Sequence, residues 1–364
     1  MSYTEVLRQP QDTSFFWETF FFCYIRAHYC YIIMIIETST YARAGLLGNP
    51  SDGFFGKTIS VIIRNFGARV TLYQSPELVI EEQEVDLNKF RNVYHLVDSV
   101  NLTGYYGGVR LIKAAIKKFT EHCMENDIKT GNKNFTIRYR TSIPRQVGLA
   151  GSSAIITAVM KALMQFYQVE IPLNLLPSLV LATEIHELGI NAGLQDRVIQ
   201  AYEGCVYMDF NKQHLEEMGY GIYEPLDPAL LPNLYLAYKT DLSKVSGKVF
   251  NNLKERFDNG DPDTHKTIKE IAALAEKGKD ALLNKDYNTL NKLINKNFDL
   301  RRKILNISES NIELVETARK CGASAKFSGS GGAIIGMYKN DEMLHKLIVN
   351  LRKINARVIK PYIM

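Results

Sequence analysis

Absences narrow the field first. Five cysteines, Cys23, Cys30, Cys123, Cys205 and Cys321, form no pair at metal-ligand or redox spacing. That excludes a zinc module and a disulfide scaffold, and it reads as the reduced thiols of a cytoplasmic protein. Charge of one sign is never concentrated: the net charge of +5 is spread along a chain in which acids and bases alternate, so no nucleic-acid partner is implied. Repeats and low-complexity tracts are missing, which sets aside solenoids and disordered tails. An uninterrupted hydrophobic run of membrane-spanning length is missing too. The nearest approach, from Phe15 to Ile36, is broken by Glu18, Arg26 and His28, and a charge near mid-span costs roughly 2.5–3.5 kcal/mol. No stable membrane insertion is expected. The stretch also lacks a basic start and a small-residue cleavage site, unlike a secretory leader. It reads as a loosely packed extension or as upstream sequence ahead of a true start at Met34.

What is present suits a globular enzyme. With 364 residues and 46% hydrophobic content, the chain can bury one large core or two modest ones. Period-two alternation with β-branched residues predicts a strand from Ile35 to Leu47 that collapses into the turn Gly48-Asn49-Pro50-Ser51-Asp52. Further strands are expected at 57–63 and 67–73 around a turn at Asn65-Phe66-Gly67, and at 78–84. Helical spacing of Val109, Ile112, Ala115, Ile116 and Phe119 predicts a helix over 107–125. A strand at 135–142, a helix from Ser152 to about Tyr167, a helix at about 173–187 and one from Asp196 follow, then strands at 204–210 and 234–240. After Asn259-Gly260-Asp261-Pro262 the composition shifts to long charged helices at 264–284 and 286–305. A helix from Ile312 to Cys321, a strand from Ala333 to Tyr338, a helix from Asp341 to Lys353 and a last strand close the chain.

Three stretches carry chemistry. The first runs Pro144, Arg145, Gln146, Val147, Gly148, Leu149, Ala150, Gly151, Ser152, Ser153, Ala154, between a strand and a helix. The first amides of a helix lack internal partners and carry partial positive charge, and glycines let phosphates approach them closely. Ser152 and Ser153 add hydroxyls for capping, for phosphate or for Mg²⁺. No lysine follows the last glycine, so this is not the Walker pattern. The second stretch is Gly193-Leu194-Gln195-Asp196-Arg197, with Glu184 and Glu187 upstream. Phosphoryl transfer needs one carboxylate near the acceptor hydroxyl and another on the metal, and a helix-loop-helix can supply both. The third is Lys326-Phe327-Ser328-Gly329-Ser330-Gly331-Gly332, a second anion-suited loop. Alone, these would be a serine-capped helix start, an acidic cap and a tight turn. Their company changes that.

In this order the three stretches resemble the GHMP kinases, over about residues 38–360. The resemblance implies an α+β, two-lobed GHMP kinase fold, with an N-terminal lobe of the ribosomal S5 domain 2-like type and a ferredoxin-like C-terminal lobe with added helices. It implies an uncertain apolar extension at 1–36, an ATP-binding domain at 37–235 and a C-terminal domain at 236–364. By the same resemblance, Pro144, Gly148, Leu149, Ala150, Gly151, Ser152, Ser153 and Ala154 would bind ATP phosphates, with Ser328, Gly329, Ser330, Gly331 and Gly332 closing the site. Asp196 would be the catalytic base, Arg43 its cationic companion, and Ser152, Ser153, Glu184 and Glu187 the candidates around Mg²⁺. The blocks GLLGNPSD (45–52), GYYGGVR (104–110), Ile143-Pro144-Arg145-Gln146 and AGLQDR (192–197) further resemble glucuronokinases. These implied features point to ATP-dependent phosphorylation of the anomeric hydroxyl of D-glucuronate; galacturonate, galactose or a heptose phosphate would be alternative acceptors. Asn49, Ser51 and Asp52 would face the sugar acid, and Arg110, Arg145 or Arg197 would pair with its carboxylate.

Overall fold

A computed structural model describes residues 34–81, 108–131, 133–240 and 251–364, with the side chains of 251 and 252 left aside. The apolar extension ahead of Met34, residues 82–84 of one expected strand and most of the block at 104–110 lie outside the described residues.

Two sheets organise the described residues. The first holds β1 (Ile35–Leu47), β2 (Lys57–Ser75), β3 (Val79–Ile80), β4 (Asn134–Thr141), β5 (Cys205–Asp209) and β6 (Ile222–Leu226). Its order is β3-β4-β2-β5-β6, with β1 also paired to β2. The second has the order β10-β7-β9-β8, from β7 (Leu234–Lys239), β8 (Lys326–Phe327), β9 (Ala333–Met337) and β10 (Ala356–Ile359). Ten helices accompany them among the described residues: α1 (Gly108–Glu125), α2 (Gly151–Tyr167), α3 (Leu176–Ala182), α4 (Gln195–Tyr202), α5 (Lys212–Met218), α6 (Asn251–Asp258), α7 (Pro262–Leu283), α8 (Tyr287–Ile304), α9 (Glu309–Lys320) and α10 (Asp341–Arg352). This is the expected mixed α+β architecture with two sheets. No helix among the described residues is long and apolar enough to cross a membrane.

The turn expected at Asn65-Phe66-Gly67 is not there. β2 runs through it, because its first half pairs with β5, Lys57 opposite Asp209, and its second half with β4, Ala68 opposite Thr141. Between the two partners other groups take the backbone. Gly67 exchanges hydrogen bonds with Ser142, Ile62 donates to the Gly204 carbonyl, and the Arg64 N–H donates to the Tyr362 carbonyl at 2.9 Å. Asn65 completes the seam, its Oδ1 accepting from the Tyr362 N–H at 2.7 Å and its Nδ2 donating to the Lys360 carbonyl at 3.1 Å. The end of the chain is therefore stitched to the centre of the first sheet. Phe66 meets Tyr238 of β7 edge to face, with ring centroids 5.6 Å apart.

α2 is apolar on nearly every side, so it is buried on nearly every side, from Ser153 to Phe166. That fixes the loop feeding its N-terminus. α4 is short, and its inner face, Val198 and Ile199, joins Ile62, Val206, Met208 and Phe210 in one cluster. Burying those side chains holds the first turn of α4, which carries Asp196, at a set height over the sheet. The single helix expected at 173–187 divides into α3 and a π-helical turn, Thr183–Glu187. π-Turns insert one extra residue and recur at functional sites; here the turn buries Glu184 completely.

Candidate active site

Arg43 and Asp196 form the centre. β1 delivers Arg43 almost fully buried, and its Nε and Nη2 donate to Asp196 Oδ1 and Oδ2 at 2.5 and 2.6 Å. Such a two-pronged pair fixes the orientation of both groups. The remaining nitrogen, Nη1, donates to the Gly148 carbonyl at 2.7 Å and the Ser328 carbonyl at 3.3 Å. One guanidinium thus joins the acid to both glycine loops. Burial works to raise the Asp196 carboxyl, but Arg43 and Arg197 together outweigh it and hold it below the usual carboxylate range.

The two loops touch. Gly148 has φ +67°, a left-handed conformation that disfavours side chains, and a Cβ there would lie 2.8 Å from the Gly331 carbonyl. A Cβ on Gly329 would lie 2.3 Å from the Gly148 carbonyl and 2.7 Å from Arg43 Nη1. Only glycine permits this approach. Ala150, also left-handed, caps α2 without a side-chain hydrogen bond, so the first amides of α2 are not claimed by a side-chain cap. Gln200 of α4 donates to the Ala150 carbonyl at 2.9 Å, tying the helix of Asp196 to the loop.

The two glutamates separate. Ser152 Oγ donates to Glu184 Oε1 at 2.7 Å, while Arg197 clamps Oε2 through Nε at 2.6 Å and through Nη2. Glu187 turns away to Lys117 on α1, 2.7 Å distant. The structure therefore brings Glu184, and not Glu187, to Ser152; the π-turn points the two side chains in different directions. Ser153 is fully buried, its hydroxyl on the Ala150 carbonyl at 3.3 Å.

Several residues expected to face the sugar are placed otherwise. Ser51 is fully buried and its hydroxyl donates to the Lys57 carbonyl at 2.9 Å. Asn49 is enclosed as well: its Oδ1 accepts from Lys326 and its carbonyl from Asn297 Nδ2 at 3.1 Å. Both hold the opening loop in shape, and both are buried in this structure. Asp52 does join Asp196. Its Oδ2 accepts the Gln195 N–H at 3.4 Å, and its carboxylate end packs on Gly193, although the residue remains partly accessible. Burial, and then the neighbouring Asp196, push the Asp52 carboxyl up to about 6. Of the three arginines, Arg197 is engaged with Glu184 and with the Gly193 carbonyl at 2.7 Å. Arg110 donates to the Leu188 carbonyl at 2.7 Å, and Arg145 is exposed on the loop before Gly148.

Among the described residues, two fully buried cations escaped the sequence reading. Lys326 is fully buried, and burial followed by the charges of Arg301 and Arg43 pulls its ammonium well below the usual lysine range. Arg301, equally buried, lies over the Phe327 ring at 5.2 Å and is pulled down to about 10, first by burial. Lys326 had one visible signal, a lone lysine in the small and apolar run Ala323-Ser324-Ala325-Lys326-Phe327. Arg301 had none, because it sits in the basic run Arg301-Arg302-Lys303 and only the fold selects which member turns inward.

Comparison with known proteins places the chain among its relatives. Residues 110–204 match the model for the GHMP kinases N terminal domain, and residues 279–355 match the GHMP kinases C terminal domain. The chain is 48% identical over 306 residues to Glucuronokinase 1 of Arabidopsis thaliana, covering 82% of this chain and 84% of that one. It is 49% identical over 308 residues to Probable glucuronokinase 2 of the same plant, with 83% and 84% covered. Among solved structures, Lactococcus lactis galactokinase complexed with galactose superposes with a TM-score of 0.72 at 15% identity, over 90% of this chain and 93% of that one, a likeness of fold. With two loops closing on one ion pair, both domain models matched and relatives near half identity along most of its length, the chain belongs to the GHMP kinase family.

Proposed function

We propose that this protein transfers the γ-phosphate of ATP to the anomeric hydroxyl of D-glucuronate, giving glucuronate 1-phosphate and ADP. The observation that carries the reading is the convergence of Asp196, Arg43 and both glycine loops on one point. The name and high identity of the Arabidopsis glucuronokinases support the acceptor.

Phosphoryl transfer depends on positioning and charge stabilisation. The amides from Gly148 to Ser153 would hold the nucleotide phosphates at the positive end of α2, with the loop from Ser328 to Gly332 against them. Asp196 is held ionised by two arginines, which makes it better suited to accepting a hydrogen bond from the sugar hydroxyl than to keeping the proton. Arg43, fixed by three acceptor groups, needs no reorganisation to stabilise charge on the group in transfer. Asp52 adds a second carboxylate for the sugar ring. Arg145, whose head is exposed at the start of the phosphate loop, is the favoured partner for the uronate carboxylate, since Arg197 is already clamped.

The donors also fit Mg²⁺. Ser152 Oγ and Glu184 Oε1 form an all-oxygen pair, and Mg²⁺ bound to nucleotide takes only one or two protein oxygens beside phosphates and water. When bound, the ion would neutralise charge on the phosphates. The reading carries with it an ATP-binding domain at 37–235, a C-terminal domain at 236–364 and a cytoplasmic enzyme, in keeping with free thiols at Cys123, Cys205 and Cys321.

The test is ADP formation with MgATP across glucuronate, galacturonate, glucose, galactose and a heptose phosphate, with the product identified by phosphorus NMR. Glucuronate should be preferred, and its product should carry phosphate on C1. A site built to pair a carboxylate leaves a cation unpaired when the acceptor is neutral. Equal turnover of glucose would remove the uronate assignment while leaving the kinase.

A further inference from the structure

We infer that Lys326, acting with Asn49, is a positioning residue that latches the closing glycine loop onto the opening loop and thereby sets the shape of the nucleotide-phosphate cradle. The inference rests on the reading of the glycine loops as that cradle.

Lys326 lies on β8 and is wholly enclosed, yet its side chain ends on polar atoms far away in sequence. Nζ donates to the Gly45 carbonyl at 2.5 Å and to Asn49 Oδ1. The next two residues repeat the attachment. Asn49 Nδ2 donates to the Phe327 carbonyl at 3.5 Å, and the Gly45 N–H donates to the Ser328 carbonyl at 2.7 Å. Asn297 braces the far side, donating to the Asn49 carbonyl and accepting from the Gly48 N–H at 2.8 Å. Residues 326 to 328 are thus fastened to 45 and 49 immediately before the chain enters Gly329, whose Cα sits against Arg43 and Gly148.

Packing alone does not ask for a lysine. A methionine fills a similar volume without the desolvation cost of a buried amine. Two directional bonds to one loop are what the amine adds. They fix the spacing between Arg43 on β1 and the loop that follows β8, a distance the apolar contacts around Phe327 do not define.

The experiment uses the full chain with Lys326→Met, Asn49→Ala and the double variant, measuring MgATP binding by calorimetry and KM for each substrate. The latch predicts ATP affinity weakened about tenfold in either single variant, the effect of one hydrogen bond in a buried setting. KM for ATP should rise in parallel, KM for glucuronate should stay within about twofold, and the double variant should be no worse than the poorer single one. Wild-type ATP affinity in Lys326→Met, with only a lower melting temperature, would overturn the latch, as would a loss confined to kcat at constant KM. A rise in the KM for glucuronate alone in Asn49→Ala would overturn it in favour of direct sugar contact. Should Lys326→Met not fold, Asn49→Ala breaks the same contact and decides the matter. Failure of the wild-type protein to bind ATP would remove the functional reading, and the latch with it.

Discussion

The carboxylate of Asp52 accepts the backbone N–H of Gln195, which sets it beside Asp196, and the shared surroundings push the two acids in opposite directions. Asp196 has Arg43 on both oxygens. Asp52 feels its burial and the charge of Asp196 before the more distant arginines act on it.

The first prediction concerns pH. The Asp52 carboxyl is raised to about 6 from an ordinary value of 3.8, so the folded protein holds this proton more tightly than the unfolded chain. Its contribution is present below about pH 4 and is lost as pH rises through about 6. Asp196 works the other way: its contribution is present above the ordinary carboxylate value and is lost as pH falls below it. Asp52→Asn should therefore melt higher than wild type at pH 7.5, with the gap closing by about pH 4. If ionised Asp52 receives a sugar hydroxyl, wild-type kcat/KM should fall below about pH 6 and Asp52→Asn should lose that inflection. Melting curves and rate profiles from pH 4 to 8 check both.

Asp196→Asn keeps the shape of the side chain and removes its charge. kcat should drop about 10²- to 10⁴-fold, while ATP affinity by calorimetry stays near wild type, because Arg43 keeps the Gly148 and Ser328 carbonyls. A near-normal kcat would shift the reaction onto Arg43 and the metal.

Glu184→Gln and Glu187→Gln should part company. The first takes from buried Arg197 its nearest carboxylate, leaving Asp196 3.5 Å from Nη1; breaking a buried pair costs about 3–5 kcal/mol, and the variant should raise the Mg²⁺ concentration needed for half-maximal rate. The second breaks a solvent-screened contact to the largely exposed Lys117 and should leave the Mg²⁺ titration unchanged. Identical titrations for both variants would refute Glu184 as the metal-side carboxylate.

Gly329→Ala places a methyl group 2.3 Å from the Gly148 carbonyl, so the loops must separate. KM for ATP should increase at least about tenfold, in line with a misplaced binding group, and Ser153→Ala should be the milder variant. A Gly329→Ala protein with unaltered ATP kinetics would show that the two loops need not touch during turnover.

Much of this was legible in the sequence, for reasons that can be named. Strand-loop-helix order around Gly148, period-two alternation in β1 and the acid opening α4 are local features, and local chemistry writes them into short stretches. The through-running β2 was not legible, because Asn65 and Gly67 do carry turn chemistry and only distant partners, Ser142 and Tyr362, override it. The inward turn of Asn49 and Ser51 was hidden for a similar reason: a polar side chain in a glycine-rich loop can face ligand or protein, and its partners Lys326 and Lys57 are known only from the fold. The division between Glu184 and Glu187 followed from a π-turn, which hydrophobic periodicity does not register.

The stitching of Asn65 and Arg64 to Tyr362 also bears on how the molecule is made. β2 is among the first described strands to be synthesised, yet Arg64 and Asn65 at its centre find their partners at Lys360 and Tyr362. Until Lys360 and Tyr362 have been added to the growing chain, that seam stays open, and an open row of strand amides is where nascent chains pair wrongly. Closing it joins Asn65 to Tyr362 across 297 positions of sequence, and contacts of such separation are slow to form.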